Sequence, residues 1–376
     1  MITVRPGSHM YFLLKLLSVS GEFPSKSMGI LGDVRTVKAM IHKMEDAQKI
    51  RLSTGGIIKT KLFQASGKWN DRTVRLNKKG LEVLNELHPN ALGYYLDSLP
   101  DNRFSGNELT IDRNHRVGES IAMCMMAGIE TAPYILPELQ KDIIQYGISE
   151  TPSYYVSRNL KKIFETELRK TAYTRITGLL FYPGGSYAVY NIRNAVMKIN
   201  GYGEIKVRQE LSEIVRMNAG LNDVTSALLF GVNGDVALQT LFESDKSRKK
   251  QDLFDNIYPS IHFIPLTHDG IDLLRILTLP NWHEKLMSVL FAADMRFNGH
   301  SSIEFDAYRD NKYYYSHLDS DIARLIRFNG ALETHPQSFE ILCFPWQMQF
   351  LKGYLCKPIP LKPIGMPKVL EALGII

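Results

Sequence analysis

Cysteine is scarce in this chain. Three occur in 376 residues, Cys124, Cys343 and Cys356. The number is odd and no two form a C-x-x-C pair, so neither a disulfide framework nor a structural zinc site is expected. A reducing cytoplasm fits. Long apolar runs are missing too. Nothing approaches the ~18 unbroken apolar residues of a membrane helix, and no membrane partner is expected. Residues 11–19 resemble a signal-peptide core, but Lys15 splits the run and Glu22 follows soon after, with no small-residue cleavage site between. The phosphate-binding, zinc-protease and nucleophile-elbow motifs G-x-x-x-x-G-K-[ST], G-x-G-x-x-G, H-E-x-x-H and G-x-S-x-G are all absent. His262 and His268 have no partner at metal-ligand spacing. No cofactor and no metal are therefore expected.

What is present is an ordinary globular composition, 44% hydrophobic and 22% charged. The length suits two or three domains. The net charge is +6, with a pI near 9.0. Its distribution matters more than its size. Residues 1–87 hold 15 lysines and arginines against 7 acids, a net of +8, whereas the remaining 289 residues hold 30 against 32. The excess positive charge is confined to the first stretch, as attraction to phosphate requires.

That stretch reads as a winged helix-turn-helix. Met10 to Val19 is an apolar helix, Gly21 to Pro24 a turn, and Ser25 to Leu31 a short second helix. From Asp33 to Gln48, Val34, Val37, Ile41 and Met44 recur at helical spacing and make one apolar face. Arg35, Thr36, Lys38, His42 and Lys43 lie elsewhere on it, with Lys49 beyond. A helix with an apolar back and a short basic front suits the DNA major groove. Asp33 can cap its first turn. Strand-like runs follow at Ile50–Ser53, Ile57–Phe63 and Thr73–Leu76, with Gly55–Gly56 as a tight turn. Lys59 and Lys61 stand on the second run. Gln64 to Arg72 is a polar wing carrying Lys68 and Arg72. A closing helix runs to Leu87. Arg35, Thr36, Lys38, His42, Lys43, Lys59, Lys61, Lys68 and Arg72 are the candidate contacts to double-stranded DNA.

Residues 88–112 read as a linker. Asn114 to Gly128 reads as a helix with Val117, Ile121, Ala122, Met125 and Met126 on its packed side. An α/β section follows. Thr177–Tyr182 and Tyr187–Asn191 form a hairpin around Pro183–Gly184–Gly185. Ile205–Asn218 is a helix, Val224–Val232 a buried strand, Val236 the start of a helix, and Ile257–Pro265 a strand. The order strand, strand, helix, strand, helix recurs from Ser302, through Lys312–His317, Ser320–Phe328, Ser338–Phe344 and Trp346–Leu355. The tail from Pro358 reads as coil before a short helix. The class is thus α+β or α/β: a winged helix-turn-helix at 1–87, a linker at 88–112, a first α/β unit at 113–265 and a second at 266–376.

Metal-dependent nucleases pair carboxylates on adjacent strands with a Glu-x-Lys. Glu204–Ile205–Lys206 spells that triplet but opens a helix. Glu304 and Asp306 share one face of the expected strand from Ser302, and Asp319 and Asp321 follow the next. The aromatic run Tyr313–Tyr315 occupies the middle of that neighbouring strand, which favours packing over a hydrated ion.

The segment Val74–Arg75–Leu76–Asn77–Lys78–Lys79–Gly80–Leu81, the helix Asn114–Gly128 and the hairpin Ile176–Gly185, in this order, resemble the replication-relaxation family of bacterial plasmids and integrative conjugative elements. The resemblance covers most of residues 9–265. It implies a cytoplasmic DNA-binding protein with an N-terminal winged helix and an endonuclease-like α/β domain, acting in replication, transfer or their control. Family members often carry acids in and after the first hairpin, where this chain has Thr177 and Asn191. That departure points away from nuclease activity in the first α/β unit, and the α/β portion is expected to be a non-catalytic scaffold for DNA, for a protein partner of a transfer or replication complex, or for self-association as a homodimer. Two alternatives remain open: a transcriptional regulator whose α/β part senses a ligand or partner, and a metal-dependent nuclease or nickase.

Overall fold

Helix α1, His9–Ser20, is the axis of the first half of the chain. Leu13, Leu14, Leu16, Leu17 and Val19 are buried around most of its circumference, and a helix apolar on nearly every side must be enclosed by others. Each such leucine contributes about 1.5–3 kcal/mol of burial. Ser8 caps its start by accepting from the Tyr11 amide, and Gly21, at φ 77°, ends it. The computed structural model describes residues 2–52, 55–67, 72–99, 108–131, 151–163, 176–196, 202–219, 223–247, 257–297, 299 and 301–376. The chain divides into two compact units, one of Met1–Glu138 with Tyr154–Asn159, the other of Leu139–Ser153 with Leu160–Ile376.

In the first unit, β1 (Ile2–Thr3) precedes α1, and β2 (Glu22–Pro24) follows it. A 3-10 helix at Ser25–Leu31 then leads to α2 (Val34–Glu45). Next come β3 (Gln48–Arg51), β4 (Ile57–Thr60), β5 (Phe63–Ser66) and β6 (Thr73–Leu76). The strands make two small sheets, β1-β3-β4 and β2-β6-β5. The second is antiparallel throughout, with Phe23 opposite Val74 and Ala65 opposite Val74 on its other side. The single run expected over Ile57–Phe63 is broken at Lys61–Leu62, where the chain passes from one sheet to the other. Leu62 is clamped there: its amide donates to Met44 at 3.1 Å and its carbonyl accepts from Asn77 at 2.9 Å. Gly80 lies so close that a Cβ on it would stand 2.8 Å from the Leu62 oxygen, so only glycine lets the clamp close.

Helices α3 (Leu81–Leu87), α4 (Pro89–Ser98) and α5 (Glu108–Met126) continue the first unit. Residues 89–98 are therefore a helix packed on α1 rather than linker, with Ala91, Tyr94 and Tyr95 buried; residues 100–107 lie outside the described ones. Helix α5 also belongs to this unit and not to the α/β part expected from residue 113. The side it buries differs from the expected methionine stripe. His115, Gly118, Glu119 and Ser120 are buried with Ile121 to Cys124, while Met125 and Met126 are half-buried. The reason is a polar seam. Buried Glu22 takes Arg75 at 3.2 Å and the Asn114 amide at 3.2 Å. Thr73 bonds His115 at 2.9 Å, and Ser27 donates to Glu119 at 2.5 Å. Buried polar groups paid by such bonds hold a helix in one register. A short strand, β7 (Ser153–Val156), and helix α6 (Ser157–Ile163) follow.

The second unit repeats one topology. Its first pass is β8 (Ile176–Tyr182), β9 (Gly185–Arg193), α7 (Tyr202–Ala219), β10 (Ser226–Gly231), α8 (Gly234–Ser247), β11 (Ser260–Pro265) and α9 (His268–Leu277). After α10 (Trp282–Leu290), the second pass is β12 (Ala307–Arg309), β13 (Lys312–Ser316), α11 (Ile322–Leu332), β14 (Ser338–Cys343), α12 (Met348–Tyr354), β15 (Leu361–Pro363) and α13 (Met366–Ala372). In both, the first strand pair is antiparallel and the next two pairs are parallel. The chain expected to divide at 265/266 is instead joined there. The Phe263 amide donates to Ser320 at 2.9 Å and the Ile261 amide to Asp321 at 3.0 Å, so the segment 319–321 lines the edge of β11. Ser302–Asp306, expected as strand, precedes β12, and Leu361–Pro363, expected as coil, is a strand beside β14.

Candidate nucleic-acid interface

The candidate site is α2 and what surrounds its ends. Gly32, at φ 138°, turns the chain from the 3-10 helix into α2. Asp33 then caps it. Its Oδ1 accepts from both the amide and the hydroxyl of Thr36 at 2.8 Å. These bonds, the amide's first, hold the Asp33 carboxyl below its usual pKa. Thr36 is therefore committed to the cap. Val37, Ile41 and Met44 face the core. Val34, expected with them, is 41% exposed, because Met28, Ile30 and Leu31 of the preceding 3-10 helix already fill the core at that end. Arg35, Lys38, His42 and Lys43 are exposed. They form the one cationic face of α2, its length about 18 Å at 1.5 Å per residue.

The remaining candidates fall into two places. Arg72 precedes β6 and reaches the end of α2, where its guanidinium grips both oxygens of Glu45 at 2.6 and 2.8 Å. The same carboxylate accepts the Ala65 amide at 3.1 Å and lies 3.5 Å from the His42 ring. Arg72 thus ties the β5–β6 ribbon to α2. Lys68 lies outside the described residues. Lys59 and Lys61 are exposed on and after β4, at the hairpin that leaves the C-terminal end of α2. The tie from Arg72 to Glu45 was hidden because its partners lie 27 positions apart.

Glu304, Asp306, Asp319 and Asp321 lie in one network around Arg324. Arg324 donates to Glu304 at 3.0 Å and to Asp306 at 2.6 Å, and Arg327 donates to Glu304 at 2.7 Å. The Ser316 amide donates to Asp306 at 2.6 Å. Asp321 caps α11, accepting from the Ala323 and Arg324 amides. Burial raises the Asp319 pKa against the opposing charge of Arg324. Burial works against the Arg324 charge, but Asp306 beside it carries the guanidinium pKa well above its usual value. An arginine fills the place a metal would need between Glu304 and Asp306. His317 lies among these groups, fully buried, with neither ring nitrogen hydrogen-bonded. Tyr315 stacks on it at 6.3 Å and Phe350 meets it edge-on at 5.8 Å. Burial first, then the charges of Arg324 and His262, lower its pKa to about 3.

Thr177 and Asn191 are both buried. The Thr177 hydroxyl donates to the Val189 carbonyl and the Asn191 side chain accepts the Arg193 amide. Glu204–Ile205–Lys206 lies near the start of α7, with Glu204 in its first turn. A cleft of about 230 Å³ opens at the C-terminal ends of β10 and β11, lined by Asn233, Asp235, Thr267, Asp269, Trp346 and others. No helix among the described residues is long and apolar enough to cross a membrane, and no group of three or more metal-ligating side chains is found among them. Comparison with protein-family models, curated proteins and solved structures gives no match.

Proposed function

We propose that this chain binds double-stranded DNA through its first unit, as a winged helix-turn-helix protein of the replication-relaxation kind, acting in the replication or transfer of a mobile element or in their control. One observation carries the reading: α2 buries Val37, Ile41 and Met44 and turns Arg35, Lys38, His42 and Lys43 outward. The element order supports it. Helix, strand, 3-10 helix, helix, strand and strand, with the first strand paired to the last, is the order of a winged helix once the β3–β4 insertion is set aside. In this reading α2 enters the major groove and the β5–β6 ribbon, tied to it by Arg72 and Glu45, is the wing. The second unit serves as a scaffold for a protein partner or for a second copy of the chain.

A Lys38→Glu, His42→Glu variant tests the DNA-binding part by gel-shift titration of duplex at low salt. The variant loses binding while its circular dichroism and melting temperature match the parent; equal binding by both refutes the assignment of α2. Supercoiled plasmid with Mg²⁺ or Mn²⁺ tests the scaffold part. Nicking by the parent that a Glu304→Ala, Asp306→Ala variant loses would make the second unit a nuclease.

A further inference from the structure

The β3–β4 hairpin is an insertion between α2 and the β5–β6 ribbon, and its charge is one-sided. Residues 47–67 contain Lys49, Arg51, Lys59 and Lys61 and no acid, half the net charge of residues 1–87. Strand alternation sorts them. Lys49, Arg51, Lys59 and Lys61 are exposed, while Ile50, Thr60 and Leu62 between them are buried. Lys49, Arg51 and Lys59 thus lie on one face of the β3–β4 hairpin, with Lys61 exposed just past the end of β4.

That face is costly by itself. Lys49 stands directly opposite Lys59 in the antiparallel register. Like charges so placed repel, with Cβ atoms about 5 Å apart. Among the described residues, no ion pair relieves any of the four. Lysines on an edge strand often serve to block aggregation, and β4 is an edge. That explanation does not reach Lys49 and Arg51. They stand on β3, the middle strand, with β1 on its other side through Ile2 opposite Ile50. The ribbon is also firmly placed. The Leu62 amide bonds the Met44 carbonyl at 3.1 Å, which fixes the hairpin base to the C-terminal end of α2.

We infer that this hairpin is a second, sequence-independent contact to the duplex, a row of four cations on the phosphodiester backbone alongside the groove that α2 enters. The inference rests on the DNA-binding reading of α2. The occupant is set by charge complementarity: a duplex presents one negative charge per about 1.7 Å of axis, dense enough to offset the Lys49–Lys59 repulsion. The hairpin supplies affinity and salt dependence, and α2 supplies register.

The test uses the full chain and fluorescence anisotropy with labelled duplexes of two unrelated sequences across a salt series. Replacing Lys49, Arg51, Lys59 and Lys61 with glutamine lowers the slope of log Kobs against log salt by about 3.6, at about 0.9 per lost phosphate contact. The loss is equal on both sequences. A Lys59→Glu variant guards against a folding defect: it places opposite charges across the hairpin, so its melting temperature equals or exceeds the parent's while its DNA affinity falls. Parent-like affinity and slope in both variants overturn the hairpin contact and leave the α2 reading standing. A parent chain that binds no duplex overturns both. Hairpin-dependent binding to vesicles of anionic lipid, with no effect of the variants on duplex binding, assigns the ribbon to a membrane surface and overturns the inference.

Discussion

His317 makes the second unit sensitive to acid. The ring is fully buried and its pKa falls from the ordinary 6.5 to about 3. An unfolded chain protonates this histidine below pH 6.5, whereas the folded one does not until about pH 3. The stabilising effect of the neutral ring is therefore complete above pH 6.5 and is lost as pH falls through the interval between those values. Each pH unit in that interval removes about 1.4 kcal/mol, so acidification to pH 5 removes about 2 kcal/mol. Asp319 works in the opposite sense, since its raised pKa means that the folded state takes up its proton more readily. A His317→Phe variant isolates the histidine, because its ring fits between Tyr315 and Phe350 without leaving unpaired nitrogens. Urea unfolding followed by tryptophan fluorescence at pH 7.5, 6 and 5 reads it, with Trp282 and Trp346 both in the second unit. The parent loses about 2 kcal/mol that the variant keeps. Equal pH dependence in the two proteins would refute the argument.

Other perturbations follow from the same contacts. Arg324→Met leaves Asp306 and Asp319 without their cation and destabilises the second unit by about 3–5 kcal/mol, measured by urea unfolding. Gly32→Ala forces a side chain onto a backbone at φ 138°, with its Cβ 2.6 Å from the His9 ring, and costs about 1–3 kcal/mol, read as a lower melting temperature of the first unit together with weaker duplex binding.

The elements with strong local periodicity were legible in the sequence. Val37, Ile41 and Met44 point inward and Arg35, Lys38 and His42 outward, as helical spacing expects, whereas Val34 at the same spacing is exposed because the preceding 3-10 helix fills the core at that end. The recurring β-β-α-β-α order was legible from local periodicity too, and the matching strand directions give it physical content. What escaped depends on distant partners. Helix α5 buries His115 and Glu119 because Thr73 and Ser27, 42 and 92 positions away, satisfy them, and no local pattern encodes that. Glu304 and Asp306 looked like strand alternation and are held by Arg324 and Arg327 instead. Pro363 disguised β15, although an edge strand tolerates proline.

The most direct measurement is hydrogen–deuterium exchange of the full chain with and without a duplex of about 30 base pairs at low salt. Binding through α2 slows exchange across residues 34–45 and in β5 and β6, and the Lys38→Glu, His42→Glu variant abolishes that protection. Protection confined to residues 176–376, or protection of residues 34–45 that survives the double substitution, would contradict the account.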